Sequence, residues 1–377
     1  MGRLIYRQLR LDSVRTALTS VALAAVVAVI LVLEGFNEGL ITQLGRAVTD
    51  RGADLIVTQS GVSNLTATRS VLPQFARRDV EAVAGVVAAH PLTGLPVIYA
   101  EGAQRTPIML MVYDTAGGPR EVITGQLPAE PREMVVDRSL AKKHNLAVGD
   151  ALVISDFEFT ISGIADGAAA FFTPFGFAHY DDLIDFYFES DVAADISTFP
   201  LLSFLLVELS PGADRVAVAA AIEANVPAGD VFLPEALAAE DKGLGRVLFG
   251  PVLKLLIAVG YIIGVLVTGI LMFAAVNSRR QSLGVLKALG FTQGFLSRAV
   301  LLEALVLAII AIPLGVALAS LIGVVIESLM PLYLILPSEP VPLVRTAVAT
   351  LLFAGLGALM PVRLIRRLDP AVAFRSG

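Results

Sequence analysis

The sequence predicts an α-helical membrane protein with four transmembrane helices and one large extracytoplasmic α/β domain. The 377 residues are 56% hydrophobic and only 16% charged, with a mean hydropathy of +0.77. A soluble domain typically carries about 25% charged residues. The apolar residues are concentrated in a few uncharged runs, which indicates membrane spans. The long block between the first two runs is acidic and alternates strand-like with helix-like patterns, which predicts a separate domain.

The four membrane spans follow from the lengths of the uncharged runs. A helix needs about 20 apolar residues to cross the hydrocarbon core of a bilayer. The uncharged runs cover residues 16–33, 255–276, 304–326 and 346–362. The last run is short, but it extends back to Leu343 if Arg345 reaches toward the interface. The first run is long for a signal peptide and no small-residue cleavage site follows Leu33, so an uncleaved span is predicted.

The distribution of charge predicts the orientation in the membrane. Residues 36–246 contain 14 Lys/Arg against 28 Asp/Glu, a net charge of −14. The amino terminus, the stretch between the second and third spans and the carboxyl terminus together contain 12 Lys/Arg and only Asp12 and Asp369 as acids. Because basic segments stay in the cytoplasm, both termini are predicted inside a multi-pass protein of the cytoplasmic (inner) membrane. The predicted boundaries are a cytoplasmic amphipathic segment 1–15, first span 16–36, external domain 37–247, second span 252–276, cytoplasmic loop 277–297, third span 298–327, external loop 328–342, fourth span 343–363 and cytoplasmic tail 364–377.

The external block is predicted to be mixed α/β. Helix-like stretches at 139–145 and 212–226 alternate with strand-like runs. This alternation favours two small lobes over a sandwich. The strand-like runs cover residues 53–58, 107–113, 133–137, 151–155, 157–164 and 203–209.

Several kinds of chemistry are excluded by what the sequence lacks. There is no cysteine, and no glycine is followed by lysine, so the chain contains no P-loop for nucleotide phosphates. The histidines are scattered, and the acids at 181–185 are typical of a helix start rather than a metal site. We therefore predict no catalytic site, cofactor or metal, and no nucleic-acid binding, because the basic clusters adjoin membrane spans.

The basic stretch 281–290, between the second and third spans, is a candidate interaction site. It has the pattern of a short helix, with Leu283, Leu286 and Leu289 on one side and Gly290 as its cap. Two interpretations fit: a docking surface for a partner, or an interfacial helix lying on the bilayer. The candidate residues are Leu283, Gly284, Val285, Leu286, Lys287, Ala288, Leu289 and Gly290.

Two further groups of residues have an open interpretation. Gly260, Gly264 and Gly269 in the second span allow close helix approach, either in a dimer seam or in packing against the first span. Aromatic residues are concentrated in 171–188, which fits a patch for an apolar substrate, a partner or a membrane leaflet, or else a buried core. The patch candidates are Phe171, Phe172, Phe175, Phe177 and Tyr180.

Two motifs and the topology resemble the MacB/FtsX family of ABC transporter permeases, including its DevC-like, LolC-like and haem-exporter-like members. Residues 134–164 resemble the family's external core signature. Residues 284–290, with Glu303 and Ala304, resemble its cytoplasmic run before the third span. The terminal "LDPAVAFR" resembles the family's ending, with Phe374 in place of leucine. The matching residues are Leu146, Val148, Gly149, Asp150, Phe159, Ile161, Gly163, Ile164, Gly284 to Gly290, Pro370, Ala373 and Arg375.

The resemblance implies a MacB-like core domain and a permease that lacks the fused ATPase of MacB itself. It implies two copies of a separate ABC ATPase subunit, a homodimer of the permease with its contact at the first two spans, and in some members a periplasmic adaptor (membrane fusion protein). It favours 281–290 as the ATPase-coupling helix, where Leu286→Asp would uncouple the ATPase. The implied function is export or extraction of a hydrophobic or amphiphilic substrate by mechanotransmission. The alternatives are an FtsX-like transmitter that controls an external enzyme without transport, and a membrane-anchored sensor without an ATPase.

Overall fold

The structure of the chain, a computed structural model, describes residues 13–101, 104–190, 202–278 and 280–366. The carboxyl-terminal motif with Pro370, Ala373 and Arg375 lies outside these residues, as do Arg279 and most of the predicted amino-terminal segment. The chain divides into two compact units. The membrane unit comprises Met1–Gly39, Gly250–Ser328 and Ile335–Gly377, and the external unit comprises Leu40–Phe249 and Leu329–Leu334.

The described residues form helices and strands that we number in chain order. The helices are α1 (Ser13–Thr49), α2 (Ala76–Glu81), α3 (Arg138–His144), α4 (Asp182–Glu189), α5 (Arg215–Asn225), α6 (Pro234–Leu248), α7 (Gly250–Asn277), α8 (Arg280–Ala288), α9 (Gln293–Leu329) and α10 (Pro340–Arg366). The strands are β1 (Leu55–Gln59), β2 (Val86–Glu101), β3 (Gln104–Tyr113), β4 (Val122–Gly125), β5 (Glu133–Asp137), β6 (Ala151–Ile154), β7 (Phe157–Ala165), β8 (Ala169–Ala170), β9 (Thr173–His179), β10 (Phe204–Leu209) and β11 (Gly229–Phe232).

Four helices in the described part of the chain, α1, α7, α9 and α10, are long and apolar enough to cross a membrane. The predicted fold class, four membrane helices with a large α/β domain, is therefore confirmed. Helices α1 and α9 have 37 residues each. At about 1.5 Å per residue, such a helix is longer than the roughly 30 Å hydrocarbon core. Both helices therefore extend beyond the apolar layer.

Small residues allow the membrane helices to approach one another closely. The buried face of α9 is a stripe of alanine and glycine, and a Cβ added at Gly315 would lie 2.5 Å from Val27 Cγ1 on α1. Such close contact maximises van der Waals packing where lipid supplies no hydrophobic driving force. The stripe consists of Ala304, Ala308, Ala311, Gly315, Ala319 and Gly323.

The external unit is built around one sheet that passes through the order β11-β1-β10-β2-β3-β9-β5-β7-β4. Strand β2 pairs with β10 through its first half, from Val86 to Leu92, and with β3 through its second half, from Leu92 to Glu101. One hydrophobic cluster packs α5 against the β1/β10 side, and another packs α4 against β6 and β7. A third cluster runs along the sheet and contains residues of β1, β10, β2, β3, β9 and β5. The two predicted lobes therefore share one continuous sheet and are not separate bodies.

A buried carboxyl group attaches helix α6 to the loop that follows β1. Asp241 is fully buried, and its Oδ2 accepts a hydrogen bond from the Leu65 N–H at 3.1 Å. Burial raises the pKa of Asp241 from 3.8 to about 7. The other carboxylate oxygen has no hydrogen-bond partner in the described part of the chain. The protonated form is therefore the one that the folded chain favours.

This raised pKa predicts a specific dependence of stability on pH. Since the folded chain holds the Asp241 proton more tightly than the unfolded chain, the free energy of unfolding should fall as pH rises from 3.8 toward 7. At about 1.36 kcal/mol per pKa unit, the fall is about 4 kcal/mol. Asp241→Asn, which imitates the protonated side chain, should flatten this slope in thermal unfolding of the detergent-solubilised chain. The exposed-site variant Glu158→Gln should keep it, and an unchanged slope in Asp241→Asn would contradict the assignment.

Candidate functional site

Helix α8 lies between the second and third membrane helices and ends in a well-defined glycine cap. Gly290 has φ +91°, a left-handed conformation that favours glycine. Its N–H donates to the Lys287 carbonyl at 3.1 Å, and the Phe291 N–H donates to the Leu286 carbonyl at 3.2 Å. These two bonds form a Schellman motif, which satisfies the last carbonyls of the helix. The short helix with a Gly290 cap that the sequence indicates is present.

The two faces of α8 differ in burial. Leu283 is buried and Leu286 half-buried against a cluster formed by Val276 of α7 and by Leu296 and Val300 of α9. On the opposite face Val285 is 41% exposed and Leu289 is 72% exposed. The inner leucines hold the helix against its own chain, and the outer face is open.

This arrangement corrects the predicted apolar edge of α8. Leu283, Leu286 and Leu289 do not form one partner-facing side, because the first two pack inward and only Leu289 points outward. Leu286→Asp would disrupt the chain's own packing, so it would not isolate docking. Residues that face a partner are expected among Val285, Ala288 and Leu289, which are exposed.

The glycines of the second membrane helix pack within the chain. A Cβ at Gly260 would lie 3.2 Å from Leu33 of α1, and one at Gly264 would lie 3.0 Å from Phe353 of α10. Gly269 lies beside Gly357, where the α7 and α10 backbones come together, since a Cβ at Gly357 would be 3.2 Å from the Gly269 Cα. Packing within the chain therefore accounts for Gly260 and Gly264, whereas a Cβ at Gly269 itself would meet no atom within 4 Å. The predicted dimer seam at Gly260, Gly264 and Gly269 stays a prediction.

The aromatic patch divides into a buried part and a cavity-lining part. Phe175 and Phe177 belong to strand β9 and are fully buried in the core, and Tyr180 packs against the neighbouring cluster. Of the two interpretations left open by the sequence, Phe175 and Phe177 therefore follow the buried core, and Tyr180 is half-buried at its edge. Phe171 and Phe172 differ, because their φ angles of 48° and 59° are left-handed, which costs on the order of 1–3 kcal/mol per residue. Phe172 packs edge-on against Phe249 and lines a cavity of the external unit.

An ion pair between a buried carboxylate and a half-exposed arginine in the membrane unit was not predicted. Glu34 of α1 is completely buried, forms a salt bridge with Arg345 of α10 and accepts a hydrogen bond from the Tyr261 hydroxyl of α7 at 3.0 Å. Ionisable groups inside membrane helices are costly and are retained where they are paired or functional. The cluster joins three membrane helices. The signal in the sequence is one acid at the end of the first apolar run and one base near the start of the fourth.

Gly35, next to this pair, lets the chain segment before α10 approach α1. The Leu336 N–H donates to the Gly35 carbonyl at 3.0 Å, and a Cβ at Gly35 would lie 2.8 Å from backbone atoms of Leu336 and Pro337. Backbone atoms cannot move aside as a flexible side chain can.

We expect Gly35→Ala to destabilise the membrane unit by about 1–3 kcal/mol, as overpacking does. The measurement is thermal unfolding of the detergent-solubilised chain by circular dichroism. Gly355→Ala is the matched control, since no atom lies within 4 Å of an added Cβ there. Alanine favours the helix, so this control should be neutral or slightly stabilising. Equal losses in both variants would contradict the close approach at Gly35.

The predicted helix start at 181–185 is the first turn of α4, and Asp182 accepts a hydrogen bond from the Arg132 N–H at 3.0 Å. Across the described ranges, no group of three or more histidine or acidic side chains is arranged to hold a metal ion.

Comparison with known proteins shows that two stretches of the chain match known protein families. Residues 16–225 match the MacB-like periplasmic core domain family, and residues 254–370 match the FtsX-like permease C-terminal family. An uncharacterized ABC transporter permease of Mycobacterium tuberculosis is 24% identical over 96% of this chain and 95% of its own length. A second, from Mycobacterium bovis, is 22% identical over 96% of this chain and 95% of its own length.

Two solved structures are similar to about half of this chain. The periplasmic region of MacB from Actinobacillus actinomycetemcomitans has a TM-score of 0.37 and 10% identity, covering 51% of this chain and 95% of that one. The extracellular domain of the noncanonic ABC-type transporter YknZ from Gram-positive bacteria has a TM-score of 0.35 and 13% identity. The match covers 48% of this chain and 100% of that one.

The core-domain match alone covers more than half of the chain, and the permease match covers three of its four membrane helices. Such a permease implies a partner ATPase, and its core domain lies outside the cytoplasm. The chain therefore belongs to the MacB/FtsX family of ABC transporter permeases.

Proposed function

We propose that this chain is the permease subunit of an ABC transporter that exports or extracts a hydrophobic or amphiphilic substrate, using ATP hydrolysis by a separate ATPase subunit. The observation that carries this proposal is helix α8, which is anchored by Leu283 and capped at Gly290. A permease without a P-loop has to receive its energy mechanically. A short helix fixed to two membrane helices, with an open outer face, suits that task.

Mechanotransmission is the mode of coupling that we propose. Movement of α8 would pass to α7 and α9, because Val276, Leu296 and Val300 hold it. Helix α1 would pass the movement on from the membrane unit to the external unit. It is one continuous helix whose residues up to Gly39 belong to the membrane unit and whose residues from Leu40 belong to the external unit. Rigid elements with more than one stable arrangement carry such coupling between distant sites.

The proposed assembly contains two permeases, two ATPase subunits and a surrounding lipid bilayer, with the amino and carboxyl termini and α8 in the cytoplasm. Two-fold symmetry is the commonest arrangement of homo-oligomers. The open face of α7, where Leu255, Ile262 and Leu266 are exposed, is available to lipid or to a second permease. A periplasmic adaptor would bind the external unit.

The test is reconstitution of the full chain in nanodiscs with the ATPase that co-purifies with it. Stimulation of ATP hydrolysis by an added amphiphile, together with its release from the membrane, would support transport. Activation of an external cell-wall enzyme without movement of any amphiphile would assign the chain to the FtsX-like signalling alternative. Failure of any ATPase to co-purify from native membranes would overturn both and favour a membrane-anchored sensor.

A further inference from the structure

A cavity of about 430 Å³ lies within the external unit. Its volume is in the range of about 300–1,000 Å³ that is usual for small-molecule sites. One wall is formed by residues 329–333, at and just after the end of the third membrane helix. The other is formed by α3, by Thr106 and Pro107 of β3 and by the chain around Phe172. The family features described above assign no ligand to it.

The lining of this cavity is divided into an apolar and a cationic part. Its apolar wall contains Leu140, Phe172, Met330 and Leu332. Lys142 and Lys143, at the end of α3, line the same cavity with exposed side chains. Among the described lining residues there is no aspartate or glutamate. This pair of cations stands out in a domain whose residues 36–246 have twice as many acids as bases.

The hydroxyl groups of the cavity wall already have partners. The Ser139 hydroxyl donates to Asp137 Oδ1, and the Thr106 hydroxyl lies 2.8 Å from His144 Nε2. Lys142 and Lys143 are the charged residues of the described lining, and ammonium groups attract carboxylates and phosphates.

The backbone around Phe172 indicates that this wall is held in a particular form. Phe171 and Phe172 both have left-handed φ angles, which bulky residues rarely adopt. The ring of Phe172 is fixed between Phe249 at 5.3 Å and Tyr333 at 5.9 Å, measured between ring centroids. The surrounding packing thus keeps a strained aromatic residue at the cavity, as is common at ligand sites.

We propose that this cavity binds a single-chain anionic amphiphile. Its alkyl chain would lie against Phe172, Met330 and Leu332, and its carboxylate or phosphate would lie beside Lys142 and Lys143. The assignment rests on the proposed export function and names the class of substrate for it. A cationic or uncharged amphiphile would bury the same alkyl chain but gain nothing from the lysines, so the head group decides specificity.

The experiment uses the full-length permease in nanodiscs without any ATPase. A photoreactive diazirine derivative of dodecanoate is the probe, and labelled peptides are identified by mass spectrometry. We expect labelling within 329–334 and around Phe172. Unlabelled dodecanoate and dodecyl phosphate should both compete, and dodecanol and dodecylamine should need about 10- to 100-fold higher concentrations. A preference between the first two competitors would tell whether the natural head group is a carboxylate or a phosphate.

Matched variants separate the two parts of the site. Lys142→Ala/Lys143→Ala should raise the dodecanoate concentration needed for competition by about 10- to 100-fold and leave dodecanol unchanged. Arg77→Ala/Arg78→Ala removes two consecutive basic residues from another helix of the external unit. It should change neither the dodecanoate concentration nor the dodecanol concentration needed for competition. Met330→Trp alters a 53% exposed residue of the wall and should reduce labelling by the probe without unfolding the chain.

Three results would overturn the assignment: labelling elsewhere, equal competition by dodecanol and dodecanoate, or equal losses in the two double variants. Because no ATPase is present, these results would leave ATPase docking at α8 untouched. Conversely, loss of docking with intact labelling would overturn the proposed function alone.

Discussion

Leu289→Asp is expected to abolish binding of the ATPase subunit while leaving the fold of the permease intact. Leu289 is 72% exposed and lies at the end of α8, so the change removes little packing from the chain itself. In a docked complex the aspartate would be buried without a partner, which costs several kcal/mol. A cost of about 3 kcal/mol corresponds to a loss of affinity of roughly 100-fold. Co-purification of the ATPase and ATP hydrolysis in nanodiscs are the measurements.

A control on another part of the chain makes this result specific. Val216→Asp places the same charge at a 66% exposed apolar residue of α5 in the external unit. It should bind the ATPase as the wild type does. Val285→Asp, on the same open face as Leu289, should reproduce the loss. If Leu289→Asp and Val285→Asp both retain normal binding and hydrolysis, α8 is not the docking helix.

Arg345→Leu is expected to destabilise the membrane unit strongly, because it leaves the carboxylate of Glu34 buried without its cation. Breaking a buried pair by removing one member costs about 3–5 kcal/mol. At roughly 2 °C per kcal/mol, the midpoint of thermal unfolding should fall by about 6–10 °C. Glu34→Gln should cost less, because the Arg345 side chain is 54% exposed whereas that of Glu34 is 0% exposed. The glutamine also keeps an acceptor for the Tyr261 hydroxyl.

The double variant Glu34→Gln/Arg345→Leu separates the charge effect from lost packing. Removing both charges leaves no buried carboxylate without a cation, so most of the stability lost in Arg345→Leu should return. Additive losses in the double variant would show that Arg345 stabilises the helices by packing and not by pairing with Glu34.

The sequence was most informative about elements whose local pattern decides their structure. The four membrane helices follow from uncharged runs, and β1, β3, β5, β6, β7 and β10 follow from short strand-like patterns. Strand β2 was missed because it contains Pro91, Gly94 and Pro96, which usually argue against a strand. Strand β9 was missed because almost all of its residues are buried, so it shows no alternation of polar and apolar residues.

The candidate sites were less predictable, because they depend on contacts between distant segments. The glycine cap of α8 is a local signal and was found. The sequence did not predict which face of α8 packs inward, because that depends on contacts with Leu296 and Val300 of the following helix. The Glu34 and Arg345 pair joins residues more than three hundred positions apart, and no local pattern links them.

The continuity of β2 has a mechanical consequence for the external unit. A hinge within the sheet would disrupt the hydrogen bonds that this 16-residue strand shares with β10 and β3. It would also disrupt the cluster that contains residues of β1, β10, β2, β3, β9 and β5. We therefore expect the sheet to move as a rigid body. A displacement delivered at one end would reach the other as rotation of the whole body, with little of it absorbed by bending in between.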